Sequence, residues 1–212
     1  MNVYQCIFVC MHKVIAPKIL YLGTPVVLIS TMNRDGSVNL APMSSAWWLD
    51  QTGVLGLGTR GQTFANLQRD GDCVLNLPSV NQVAEVDRLA LTTGSDPVPD
   101  YKLAMNFRHV RNKFDEAGLT AVPSDLVRPP RVMECPIQLE AKVKAIHSVG
   151  AVEDYSACIE VQIIRVHAEE ELLDAESRHH ISPDRWRPLI MSFLSFYGLG
   201  DEVHGSRLAE VF

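Results

Sequence analysis

The sequence is short of aromatic residues, of excess positive charge and of long apolar runs, and each shortage removes a class of function. Aromatic residues make up 7% of the 212 positions, too few for a platform that stacks nucleic-acid bases. Acidic residues outnumber basic ones, 25 to 19, leaving a net charge of −6. Phosphate backbones require a basic face, so no nucleic acid is expected as a partner. No apolar stretch is long enough to span a bilayer. The opening MNVYQCIFVCMHKVIAP has no basic residue ahead of its short apolar run, a poor match to a secretory signal. A cytoplasmic protein with no membrane partner is expected, with Met11 as an alternative start. The five cysteines (Cys6, Cys10, Cys73, Cys135, Cys158) are odd in number and lack C-x-x-C spacing. They read as reduced thiols, and no metal site is expected. No repeat, low-complexity tract or Pro/Gly/Ser-rich linker divides the chain, so residues 1–212 are read as one domain.

What the chain does have is apolar material, 47% of residues, arranged mostly with strand character. Pro25 to Thr31 is a continuous β-branched run, as a strand buried on both faces should be. Asn33 to Ser37 is turn chemistry, with Asp35-Gly36 suited to a tight hairpin. A return strand starts at Val38 and leads into Trp47-Trp48, and a third strand covers Val54 to Gly58. A short helix from Gln62 to Arg69 ends at Asp70-Gly71, where glycine suits the position after a helix. Cys73 to Leu77 is a fourth strand. Ser79, with Gln82 three residues on, forms a capping box for a second helix carrying Val83, Val86, Leu89 and Ala90 on one face. Thr92 to Pro99 is loop, and Asn112 to Ala117 a short helix stopped by Gly118. Ile137 to His147 and Ala157 to Ala168 are long strands, with Ile159, Val161, Ile163 and Val166 on the buried face. The tail from Pro183 is polar and turns apolar again over Leu189 to Leu199. This order predicts a mainly β chain with helical insertions, an antiparallel barrel in preference to a doubly wound sheet.

The stretch from Gly56 to Asn66 carries most of the chemistry. Gly56, Gly58 and Gly61 spell G-x-G-x-x-G after a strand and before a helix. A dinucleotide fold also needs a parallel return strand ending in an acid. The strand over Cys73 to Leu77 runs into Asn76, Leu77 and Pro78 instead, and that reading is rejected. A helix start still offers unpaired N–H groups and partial positive charge to an anion. Thr59 and Thr63 add hydroxyls, Arg60 a guanidinium and Asn66 an amide one turn on. Such a set suits a mononucleotide phosphate, although the threonines as plain caps and Arg60 as solvated surface fit equally well. Ser44-Ser45-Ala46, small residues at a strand end, would let a flat ring approach the backbone, or mark an ordinary bulge. Trp47 and Trp48 read as core residues before ligand contacts.

Several segments together resemble the flavin reductase-like family of FMN-binding split barrels, the type that includes flavoredoxins and the reductase components of monooxygenases. They are Thr24 to Leu28, Asn39 to Ser44, Gly58 to Leu67, Val74 to Ser79, Lys113 to Thr120 and Glu134-Cys135-Pro136, in the family's order across residues 20–175. The resemblance implies a homodimer holding FMN near its interface, with NADH or NADPH as reductant and free flavin or a partner monooxygenase as acceptor. It places Ser44, Ser45 and Ala46 at the isoalloxazine ring, and Thr59, Arg60, Thr63 and Asn66 on phosphate and ribityl groups. Asn76 and Leu77 would lie beneath the cofactor, and Lys113 would help neutralise the phosphate. No catalytic acid or base is assigned. Two other outcomes stay open: an FMN enzyme acting on a small organic substrate, and a non-enzymatic electron carrier. The segment Gly94 to Arg111 is longer than the family pattern, which would displace Lys113. The tail over 176–212 is extended, as a lid or dimer arm would be, with Tyr197, His204 and Arg207 as weaker candidates for nicotinamide or substrate contact.

Overall fold

A computed structural model describes residues 12–150, 155–175 and 179–210; Cys6, Cys10 and Met11 lie outside them. In chain order the strands and helices are β1 (Leu22–Pro25), β2 (Val27–Met32), β3 (Val38–Met43), β4 (Ala46–Leu49), β5 (Thr52–Gly58), α1 (Gln62–Asp70), β6 (Asp72–Leu77), α2 (Val83–Arg88), β7 (Thr92–Thr93), α3 (Asp100–Leu103), β8 (Arg108–His109), α4 (Lys113–Ala117), β9 (Ala121–Val122), β10 (Arg131–Val132), β11 (Ile137–Val149), β12 (Ser156–Ala168), β13 (Ile190–Ser192) and β14 (Ser195–Tyr197). Seven of these strands form one antiparallel sheet in the order β3-β2-β6-β11-β12-β5-β4. The mainly β, antiparallel architecture expected of the sequence is the one the chain adopts.

The apolar run of β2 has partners on both faces. Val27 and Ile29 join a core with Leu55, Leu75, Ile159 and Val161, completed by Phe64 and Leu67 of α1. Val26 and Leu28 point the other way, into a second cluster with Leu40, Val86, Leu89 and Phe114. Burying each such side chain is worth about 1.5–3 kcal/mol, and alternation along one strand thereby ties two layers together. The expected buried face of β12 holds for Ile159, Val161 and Ile163, but Val166 is exposed. Pairing of β12 with β5 ends at Gln162, so Val166 lies where β12 is bordered by β11 alone.

Helix α1 lies where the sequence put it and stops at Gly71, which takes φ 75° and donates its N–H to the Leu67 carbonyl at 3.0 Å. Its polar underside is pinned to the β2–β3 hairpin by a buried network. Asn66 Nδ2 donates to Thr31 Oγ1 at 3.0 Å and to Asn33 Oδ1 at 2.9 Å, and Arg69 donates to the Met32 carbonyl at 2.6 Å. The capping box of Ser79 and Gln82 forms as expected, on the short turn that precedes α2. Strands β7 and β8 pair in parallel, Thr92 with Arg108 and Thr93 with His109. This clasp closes the base of the long 94–111 segment. The tail folds back as the β13–β14 hairpin and pairs with β1. Among the described residues no helix is long and apolar enough to cross a membrane.

Candidate functional site

The start of α1 opens onto a cavity of about 340 Å³. Gly61, at the helix N-cap, carries no side-chain hydrogen bond to the first turn, so the leading N–H groups stay available. Gln62 and Thr63 form one wall, and Lys102, Phe107 and Lys113 the other. Lys113 is only 3% exposed and makes no hydrogen bond or ion pair among the described residues. Burial, and then repulsion from Lys102, push its ammonium pKa down to about 8. Lys102 is also lowered by burial, and its Nζ donates to Thr93 Oγ1 at 3.0 Å. One buried cation, one half-buried cation and a helix start thus surround one space with no acid lining it. That arrangement attracts an anion.

A second cavity of about 380 Å³ adjoins it, with Pro42 and Ala90 common to both. Ser44, Ser45 and the backbone of Gly56 to Gly58 form its sheet side; Tyr21, Met191 and Phe196 close it from the tail side. No carboxylate, imidazole, ammonium or guanidinium lines it. A flat, largely uncharged group fits such walls, with backbone amides at its edges.

The residues expected from the sequence divide between these cavities and the scaffold. Ser44 and Ser45 line the uncharged chamber, and Thr63 and Lys113 the cationic one. The β7–β8 clasp closes the long 94–111 segment, and Lys113, which follows it, lines the cationic cavity. Thr59 and Arg60 sit at the turn between β5 and α1. Arg60 stacks over Tyr155 with 3.9 Å to the ring centroid and lies 5.9 Å from that of Tyr101, so its guanidinium rests on aromatic faces at the rim.

Four more of the expected residues line neither cavity. Ala46 turns into the core opposite Leu55, since strand alternation sends it away from Ser45. Asn66 spends its amide on the network beneath α1. Asn76 is fully buried, donating to the Leu28 carbonyl at 2.9 Å and accepting from Val132 N–H at 2.8 Å, so it joins strands. Leu77 packs against the main core. Trp48 likewise packs on that core, Trp47 is exposed, and neither lines a cavity. Tyr197, His204 and Arg207 are exposed as well.

Sequence reasoning missed Lys102, Phe107, Tyr21, Met191 and Phe196. All lie in segments without local motif, and only the chain's return to the sheet brings them to the site.

Comparison with known proteins bears on the family and the fold. Residues 20–196 match the family model described as flavin reductase like domain. The uncharacterized protein YdfE of Bacillus subtilis (strain 168) is 41% identical over 191 residues, covering 90% of this chain and 91% of its own length. Flavoredoxin of Desulfovibrio vulgaris (Miyazaki F) superposes with a TM-score of 0.75 at 21% identity, covering 94% of this chain and 100% of that one. Nitrilotriacetate monooxygenase component B from Bacillus cereus gives 0.71 at 19% identity, covering 86% and 87%. At such identities the structural likeness is one of fold, the split barrel. With its antiparallel sheet, its cationic chamber at a helix start and a family match over most of its length, the chain belongs to the flavin reductase-like domain family.

Proposed function

We propose that the chain binds FMN, with the phosphate at the start of α1 and the ring in the uncharged chamber, and acts as an NAD(P)H-dependent oxidoreductase. The observation that carries this reading is Lys113. A buried ammonium without a counter-ion is costly, and an uncapped helix start leaves donors unused. One bound phosphate offsets both. Thr63 adds a hydroxyl at the same wall, and Lys102 a second positive charge. Bound FMN supplies a carrier that accepts hydride and passes on two electrons. Ser44, Ser45 and the backbone from Gly56 to Gly58 orient the ring, and Tyr21, Met191 and Phe196 keep water from it. The chamber holds no acid or base to assign to proton transfer.

Free flavin or a partner monooxygenase is the proposed acceptor; the likeness to a monooxygenase component supports the latter. Exposed Leu20, Leu22, Trp47, Leu49, Phe193 and Leu194 lie on or beside β1, β4 and the β13–β14 hairpin, which contact one another in sequence. A second copy covering this apolar strip would make a homodimer and border the ring chamber. A second reading has its own support. The hairpin that walls the chamber suits a retained FMN acting on a small organic substrate, and the likeness to flavoredoxin suits a carrier.

The deciding experiment is an absorbance spectrum of the protein with FMN, followed by anaerobic NADH or NADPH. A perturbed flavin band that then bleaches supports the reductase. Perturbation without bleaching favours a carrier or another reductant, and no perturbation removes the FMN assignment. Flavin that survives gel filtration, with turnover independent of added flavin, would favour the second reading.

A further inference from the structure

The two lysines of the cationic cavity differ in what their nitrogens are free to do. Lys102 is half-buried, and its Nζ donates to Thr93 Oγ1 at 3.0 Å and lies 5.5 Å from the Phe107 ring centroid. A hydroxyl and an aromatic face thus hold it as a cation. Lys113 is 3% exposed, and its Nζ has no hydrogen bond or ion pair among the described residues. It is the first residue of α4, whose start is fixed by Asn112 Oδ1 accepting from Asp115 N–H at 3.3 Å and by Phe114 packing into the second core cluster. The stem is anchored while the nitrogen is left without a partner.

Loss of water around a lysine amine and a second cation beside it are the two conditions that make it a nucleophile. Lys113 meets both, since burial and then Lys102 are the causes that favour its neutral form. Ala41, Pro42, Leu89 and Phe107 supply apolar walls around the same space. Gly61, Gln62 and Thr63, at the start of α1, line that space too. An anion seat and an unpartnered amine therefore share one cavity of about 340 Å³.

We infer that Lys113 is a covalent capture site for small phosphorylated aldehydes, the phosphate resting at the start of α1 beside Lys102 and the carbonyl carbon meeting the Lys113 nitrogen. The neutral amine adds to the carbonyl carbon, the C=O bond is replaced by C=N, and the oxygen leaves as water with the two amine hydrogens. No oxidant or reductant is needed. The unprotonated imine is uncharged, so the product relieves the cost of burying an ammonium. This inference needs the anion seat and goes beyond the flavin reading. The adduct takes the place proposed for the FMN phosphate, so capture and FMN binding exclude one another.

The test treats the full ligand-free chain with glycolaldehyde phosphate or with glycolaldehyde, traps imines with borohydride and maps modified lysines by peptide mass spectrometry. The phosphorylated aldehyde should label Lys113 about tenfold or more faster than the exposed Lys18 and Lys144, and about tenfold or more faster than glycolaldehyde labels Lys113. Excess inorganic phosphate should slow that labelling. Lys113→Met and Lys113→Arg, checked for folding by circular dichroism, should both lose the fast adduct, although the arginine keeps the charge. Labelling spread evenly over the exposed lysines would overturn the inference, as would equal rates with the two aldehydes. No capture in a chain that still binds FMN removes the reactive amine alone. Failure of both removes the anion seat with it.

Discussion

Lys113 concentrates at one residue the conflict between stability and binding. Its ammonium is buried with no counter-ion among the described residues, so the ligand-free protein carries an uncompensated charge. Lys113→Met keeps the volume and removes the charge. It should raise the unfolding free energy of the ligand-free protein by about 1–3 kcal/mol, while weakening FMN and sparing riboflavin. Denaturant melts and flavin titrations measure the two effects, and a variant less stable than wild type would contradict the account. The pH dependence follows from the same group. Its pKa is depressed in the folded state, from 10.5 to about 8, so the unfolded chain binds more protons between those values. This group's destabilising effect is therefore full below pH 8 and is relieved as the pH rises towards 10.5. Phosphate binding favours the charged form, so FMN binding near pH 8.5 should take up a proton, whereas riboflavin should not. Calorimetry in buffers of different ionisation enthalpy reads that uptake directly.

Among the elements, α1 shows the same trade at its N-cap. Gly61 has φ −93° and ψ 153°, extended backbone open to any residue, and a Cβ there would meet only the Gly58 carbonyl at 3.5 Å. Gly61→Asp therefore fits. Its carboxylate would cap the helix, adding a few tenths of a kcal/mol up to about 1, and would occupy the donors meant for the phosphate. The melting temperature should rise and FMN affinity fall, with riboflavin little changed; undiminished FMN affinity would show that the phosphate lies elsewhere. On β11, Glu140 illustrates a buried charge that is fully answered from within. Its carboxylate accepts from Asp125 N–H at 2.9 Å and Leu126 N–H at 2.6 Å, and lies 2.7 Å from His167 Nε2. Burial alone would raise its pKa, but these bonds more than offset that and hold it below the ordinary 4.5. The stability it contributes is present above pH 4.5 and is lost as the pH falls through the depressed value. Glu140→Ala leaves the loop donors unpaired and should cost about 2–4 kcal/mol at pH 7, a loss that narrows on acidification. A constant difference from pH 7 to pH 3 would argue against the linkage.

At the scale of the whole molecule, the β13–β14 hairpin presents exposed apolar side chains at its turn. Its turn is made by Phe193 and Leu194, at φ 44° and 68°, where a side chain costs about 1–2 kcal/mol per residue. Both side chains are exposed, so the strain is not compensated within the chain. Contact with a second copy across the apolar strip would compensate it. Replacing the pair by Asn-Gly, which suits such a turn, should leave the isolated chain as stable or more so and shift any dimer toward monomer. Light scattering across a concentration series, beside thermal melts, checks both halves. An unchanged oligomer would place the turn outside the interface.

Much of this molecule is written locally. The β2 run, the Asp35-Gly36 turn, α1 with its Gly71 stop, the Ser79–Gln82 box and the long β11–β12 pair each depend on neighbours in sequence, through backbone preference and side-chain period. The helix start after Gly58 is legible for the same reason, and with it the place of Thr63 on the cavity wall. Tertiary structure alone decided the rest. Asn66 and Asn76 have the chemistry of ligand residues, but burial beneath α1 and between strands makes their amides satisfy the scaffold. Lys102, Met191 and Phe196 carry no motif, and they reach the site because a clasp and a hairpin return distant chain to the same sheet. A polar group's function depends on which partners the fold leaves for it, and that follows from packing between segments far apart in sequence.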